Sequence, residues 1–309
     1  MSGRRIKLRV SPATAIVAGA LVALAAWPVY LGARASASAP VAVLTPAPVK
    51  PDWKVRDPNI AFLESRAGKV RGDMLTPRML SGEYLQRYRE RGDLGDVLRA
   101  EHAARLSLAA MPHRNVAGDV ALASTLLTLH RFREAKTAIL DARRTEPDNA
   151  ELAAEEAGLD LELGDVEDAR RLVDAHHDDA AFDVVAARLD EETGHLAAAR
   201  TLVDGAMRRA DAIYDTPAER RAWFHARAAE LAFAAGDHDA ARRAAQDGLA
   251  IFPGHLRALT ILARVDLADG QNEQAEDAAR RAAAIQPNPE VLGMLADAQA
   301  ARGENDAAA

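Results

Sequence analysis

The densest run of metal-competent side chains in the 309-residue chain is His176-His177-Asp178-Asp179. Neutral imidazole and carboxylate both suit zinc or nickel, so the chemistry on offer is divalent-metal binding. Adjacent residues on one loop cannot close a tetrahedral shell alone, and no second cluster stands at metal spacing. A solvated loop is therefore preferred, with metal handling or a carrier role as the alternative. Cysteine is absent, which removes thiolate ligands, disulfides and a cysteine nucleophile. Arginine pairs recur at Arg143-Arg144, Arg170-Arg171, Arg208-Arg209, Arg242-Arg243 and Arg280-Arg281. Aromatics make up only 4% of the chain and its net charge is -7, so these pairs read as a solvated face with carboxylate neighbours. No nucleic-acid partner is expected. Arg-Gly-Asp occurs at residues 71–73 and 91–93, where the helical pattern breaks, and reads as turn punctuation. Phosphate-binding glycine loops, helical zinc histidine pairs and serine elbows are missing from the sequence. Neither an enzyme nor a bound cofactor is expected.

Charge is unevenly distributed. Residues 1–39 hold five basic side chains and no acidic one, and the first acidic residue is Asp52. Arg4, Arg5, Lys7 and Arg9 precede an uncharged run from Val10 to Ala33, an order that places the N-terminus in the cytoplasm and everything later across the membrane. The run is close to the roughly 20 residues that span a bilayer, which favours a retained anchor. The small-x-small sites ending at Ala37 and Ala39 fit a cleaved signal peptide instead. Both outcomes stay open. The expected location is the inner membrane facing the periplasm, or the periplasm or exterior after cleavage near Ala39. Pro40, Pro46, Pro48, Pro51 and Pro58 then mark residues 40–58 as an extended linker, with Trp53 loosely docked in it.

Beyond the linker, alanine keeps a register. With Gly95, His130, Gly164, Gly194, Gly236, Gly270 and Gly303 as marks, the spacings are 35, 34, 30, 42, 34 and 33. Alanine stands five places after every mark and seven places before six of the seven, Tyr88 being the exception. Proline stands seventeen places after four of them. This is a repeat of about 34 residues. A helix ends at the glycine, a short turn follows, and a second helix runs to the proline joint. Small side chains on both sides of the turn let the two helices cross closely. Asp160, Asp190 and Asp266 stand four places before their marks, where a buried carboxylate requires a partner.

The pattern resembles the tetratricopeptide repeat family, seen best in residues 222–255 and 256–289. The resemblance covers roughly residues 81–309, and 58–80 more weakly. It implies an all-α, right-handed α-solenoid of helix-turn-helix repeats, preceded by one transmembrane or signal helix. The domains expected are residues 1–39, the linker 40–58 and a solenoid over 59–309. Its units lie near 81–115, 116–149, 150–179, 180–221, 222–255 and 256–289, with a partial one at 290–309. On the family pattern the first helix of each unit lines a concave groove. Arg188, Glu191, Glu192, Trp223, Glu230, Phe233, Arg257, Thr260 and Arg264 should project there, with Trp223 as the apolar anchor. The function implied is a non-enzymatic scaffold or assembly factor that binds a protein or peptide, attached to the membrane through its N-terminal helix.

Overall fold

A computed structural model describes residues 51–303; the expected anchor or signal segment, the expected linker up to residue 50 and the last six residues lie outside the described part. Fourteen α-helices and one 3-10 turn make up this part, and it contains no strand. They are α1 (Asp52–Arg66), α2 (Leu75–Arg91), α3 (Leu94–Ala110), α4 (Val116–Thr128), α5 (Phe132–Thr145), α6 (Ala150–Leu163) and α7 (Val166–Ala175). After the 3-10 turn Ala180–Phe182 come α8 (Asp183–Glu192), α9 (Leu196–Ala212), α10 (Ala218–Ala234), α11 (His238–Ile251), α12 (Leu256–Ala268), α13 (Asn272–Ile285) and α14 (Pro289–Ala301). Six hairpins run from α2/α3 to α12/α13, each packed on the next, with α1 and α14 at the two ends. The architecture is an α-solenoid. Its core is a string of small apolar clusters, as expected when each unit packs on its neighbours only.

Alanine pairs hold five of the hairpins together. Ala123/Ala135, Ala157/Ala169, Ala187/Ala199, Ala229/Ala241 and Ala263/Ala275 are all buried. The first hairpin departs from the expected register. Its turn glycine is Gly92, in the left-handed region at φ 75°, while Gly95 lies inside α3. Leu85 and Val97 take the two crossing positions there, so the alanine signal that pointed to Gly95 was out of phase. His130 shows the opposite case. It adopts φ 56° without being glycine, accepting a cost of roughly 1 kcal/mol that the surrounding α4/α5 packing must offset.

The linker expected over 40–58 ends earlier than its prolines suggest. Residues 52–58 open α1, because Arg56, Ile60 and Leu63 form an i, i+4, i+7 stripe buried against α2. Pro58 is exposed, so the carbonyl it leaves unbonded within the helix can turn to water. Trp53 is no loose linker residue: it meets Phe252 edge-on at 5.2 Å. Arg56 is the buried hub of α1, donating to Glu90 at 2.8 Å, Glu83 at 2.8 Å and Asp52 at 2.7 Å.

Two of the three aspartates of the repeat are answered from the preceding unit, while Asp190 lies near His195 of its own unit, 3.7 Å away. Asp160 on α6 receives Lys136 of α5 at 2.5 Å, and Asp266 on α12 receives Arg242 of α11 at 2.9 Å. Both cations stand six places after their turn residue and both carboxylates four places before theirs, so the pairing follows the repeat. Burial still raises both carboxyl pKa values, with the cation opposing it.

Most unusual for a solenoid, the chain comes back on itself. Asp52 Oδ1 accepts from the Ala218 backbone N–H at the start of α10, at 3.3 Å. Gln86 of α2 donates to Glu219 of α10 at 3.2 Å. A side chain at Gly92 would stand 3.2 Å from the Ile285 carbonyl, so the first turn abuts the end of α13. The N-terminal helices therefore close against α10–α13.

Buried beside this closure, His255 caps α12 by accepting from the Ala258 N–H at 3.1 Å. Burial lowers its pKa to about 4, and nearby Arg257 adds to the shift. The unfolded chain takes up this proton near pH 6.5 and the folded one only near 4. The contribution is thus full above 6.5 and is lost as pH falls through that window, up to about 3 kcal/mol. Glu219, whose Oε1 lies 3.8 Å from the ring, is raised by burial and acts in the opposite sense. In urea unfolding, His255→Asn should keep the cap and flatten the decline between pH 6.5 and 4. An equally steep decline in the variant would assign the titration elsewhere.

Candidate functional site

The first helices of the hairpins, α6, α8, α10, α12 and α14, succeed one another along one side of the array, and their polar residues are joined across each step. Arg188 of α8 donates to Glu162 of α6 at 2.5 Å. Glu191 of α8 accepts from Arg227 of α10, which also holds Glu230 at 3.0 Å. Glu230 in turn accepts from Arg257 of α12 at 3.3 Å, and Arg264 donates to Glu290 of α14 at 2.7 Å. Five residues expected in the groove, Arg188, Glu191, Glu230, Arg257 and Arg264, therefore stand on these helices with their charges paired between neighbours. Arg227, the centre of the run, was missed by the fixed offsets. A ligand on this face must exchange ion pairs rather than meet free charges.

The aromatic members sit elsewhere. Trp223 is half-buried, edge-on to Phe224 at 5.0 Å and packed on the cluster formed by Ala206 and Ala210 of α9. Tyr214, on the long connection before α10, is 85% exposed and leaves Trp223 to that packing. Phe233 stacks on His238 at 5.1 Å, beside the α10/α11 turn. Thr260 is buried and bonds the Leu256 carbonyl.

Closure of the array brings together charges that the sequence did not single out. Arg89 of α2, Glu155 of α6 and Arg220 of α10 are each open to solvent. Burial lowers the Arg89 pKa, Glu219 and Glu155 opposing and Arg220 reinforcing. Burial raises Glu155, against the pull of Arg220 and Arg89. The charges of the three helices therefore act on one another. Among the described residues, Arg89 and Arg220 form no direct ion pair or hydrogen bond. No periodic signal marks them, because α2 meets α10 across 133 residues of chain at the Gln86–Glu219 contact. This surface offers two uncommitted guanidinium groups beside two carboxylates, a charge set suited to a segment carrying both signs or a free terminus.

The histidine loop does not converge on a metal. His176 stacks on Phe182 at 4.7 Å, His177 Nδ1 lies 3.2 Å from the Asp174 carbonyl, and Asp179 accepts from the Ala181 N–H. Among the described residues no three His, Asp or Glu side chains are grouped to hold an ion. Both Arg-Gly-Asp tripeptides are turns whose aspartates cap the following helix, Asp73 on Leu75 and Thr76 and Asp93 on Gly95. Several arginine pairs meet carboxylates as expected, Arg171 with Asp168 and Arg281 with Asp277.

The family model for the tetratricopeptide repeat matches residues 232–298, the α10–α14 region. No curated protein sequence matches the chain. Among solved structures, the APC/C hetero-tetramer Cut9-Hcn1 superposes with a TM-score of 0.59 at 15% identity, over 80% of this chain and 46% of that one. The human IFIT1 dimer with m7Gppp-AAAA gives 0.60 at 15% identity, over 82% and 62%, and the same dimer with PPP-AAAA gives the same values. The chain thus spans about half to three fifths of these proteins' length, and the likeness is one of fold. None of these comparisons points to catalysis. They do correct one expectation. This fold is solved with capped RNA in IFIT1, so an acidic net charge and sparse aromatics do not exclude a nucleic-acid partner, and that exclusion is withdrawn.

Proposed function

We propose that the chain is a non-enzymatic interaction scaffold that takes an extended segment of a protein partner onto the charged surface shared by α2, α6 and α10. The uncommitted pair Arg89 and Arg220 carries this reading: both guanidinium groups are exposed and neither has an ion-pair or hydrogen-bond partner among the described residues. The Glu155 and Glu219 carboxylates beside them favour a peptide, whose charges and backbone offer both signs, over a uniform polyanion. The basic start and the uncharged run Val10–Ala33 support a tethered scaffold on the outer side of a bacterial inner membrane, or a released one if cleaved near Ala39. No helix among the described residues is long and apolar enough to cross a membrane, so the tether would lie in the first fifty.

Arg89→Ala with Arg220→Ala should leave helicity and melting unchanged, because neither side chain is bonded in the fold. Recovery of the partner by crosslinking and mass spectrometry should fall at least tenfold, about 1.4 kcal/mol. Undiminished recovery from the folded double variant would place the partner elsewhere. A parallel gel shift with 5′-triphosphate oligoadenylate tests RNA, and binding there that the same substitutions abolish would replace the peptide reading.

A further inference from the structure

Seven of the twelve exposed large hydrophobic residues in the described part lie between Phe62 and Leu106, on the first three helices and the α1–α2 loop. The most exposed of them are Phe62 and Val70, each 60%, and Met79 and Leu75 stand nearby on the first turns of α2. Val70 stands at the tip of the α1–α2 loop, bracketed by Gly68 and Gly72 at φ 77° and 74° and flanked by Lys69 and Arg71. The Arg66 guanidinium lies 5.6 Å over the Phe62 ring. Lys69 and Arg71 have no ion-pair partner among the described residues. The two local acids are already engaged, Glu64 by the Tyr84 hydroxyl at 2.5 Å and Asp73 by the first amides of α2. Behind the loop, Leu98 and Leu106 of α3 help line a largely apolar recess of about 470 Å³.

A solenoid end normally turns a polar face to water; this one turns apolar side chains spaced by unneutralised cations. Phe62 and Val70 are interleaved with Arg66, Lys69 and Arg71, a charge pattern complementary to an anionic surface. Hydrocarbon can receive the apolar side chains while the neighbouring ammonium and guanidinium groups stay at headgroup depth. We infer that the α1–α2 loop, with Phe62, Leu75 and Met79 around it, is a docking surface for an anionic lipid bilayer. It adds to the tether reading and stands without it. Such a contact would hold the surface carrying Arg89 and Arg220 at a set orientation to the membrane.

The full chain has no cysteine, so Val70→Cys accepts a single environment-sensitive fluorophore. With vesicles of phosphatidylcholine and phosphatidylglycerol its emission should shift to the blue and brighten. With phosphatidylcholine alone it should report water, and high salt should reverse the anionic result. A label at Leu292→Cys, on α14, should stay in water throughout. Lys69→Glu with Arg71→Glu should weaken the anionic response about thirtyfold, the loss expected for two interfacial cations at about 1 kcal/mol each. Flotation of the same samples reads the tether separately. A chain that floats while residue 70 reports water in both vesicles overturns this inference and leaves the tether standing. Equal shifts in neutral and anionic vesicles overturn it too. So does a shift that needs no lipid and grows with protein concentration, which would make a second copy the occupant.

Discussion

Arg56→Met is expected to destabilise the folded array by about 3–5 kcal/mol, the usual result of removing one member of a buried ion pair. Among the described residues the guanidinium is the only cation bonded to the buried Glu90, and it also satisfies Glu83 and Asp52. Its own pKa is pushed up by those carboxylates in spite of burial, so it stays charged at every accessible pH. Without it Glu90 must either find water in a packed interface or take up a proton. Denaturant melting of Arg56→Met, Glu90→Gln and the double variant gives the coupling between the two. The double variant should recover part of the loss, because no uncompensated carboxylate remains. Additive losses would show that the two side chains act through packing rather than through each other.

Ala263→Leu ranks second. Ala263 and Ala275 are without solvent contact where α12 crosses α13, and Ala263 also packs on Ala278 and Ala279. Three added carbons have no void to enter, and the crossing must widen at a cost of about 1–3 kcal/mol. Ala284→Leu makes the same chemical change at an exposed site of α13 and should cost less than about 0.5 kcal/mol. Thermal melting of the pair reads the difference directly, and equal tolerance would mean that the helices do not meet at residue 263.

These two sites differ in how visible they are before folding. Ala263 announces itself, because the crossing point recurs at a fixed distance from every turn and nothing larger than alanine fits. The rule fails in the first hairpin, where Leu85 and Val97 hold α2 and α3 further apart and an unrelated glycine, Gly95, happened to satisfy the spacing. Arg56 was hidden by five prolines that made its surroundings read as linker, although its i, i+4, i+7 stripe was in the sequence. The charged face was half legible. The family pattern named Arg188, Glu191, Glu230, Arg257 and Arg264, which stand on α8, α10 and α12, but it carries no information about which neighbour each would bond. Arg89 and Arg220 were beyond reach, since their approach depends on the curvature accumulated from the first hairpin to the fifth. Curvature is a sum of small packing angles, and no single residue encodes it.

The closure at Asp52 and Trp53 has a mechanical consequence. An ordinary solenoid pulled by one end sheds its terminal helix first, because nothing but the next unit holds it. Here tension applied at residue 51 falls first on the Asp52–Ala218 bond and the Trp53–Phe252 contact. Load is thereby passed to α10 and α11, in the interior of the array, before α1 can peel away. Drawing that clasp open would also load the Gln86–Glu219 contact between α2 and α10, so a stretched chain and a slack one would present Arg89 and Arg220 differently to the same ligand.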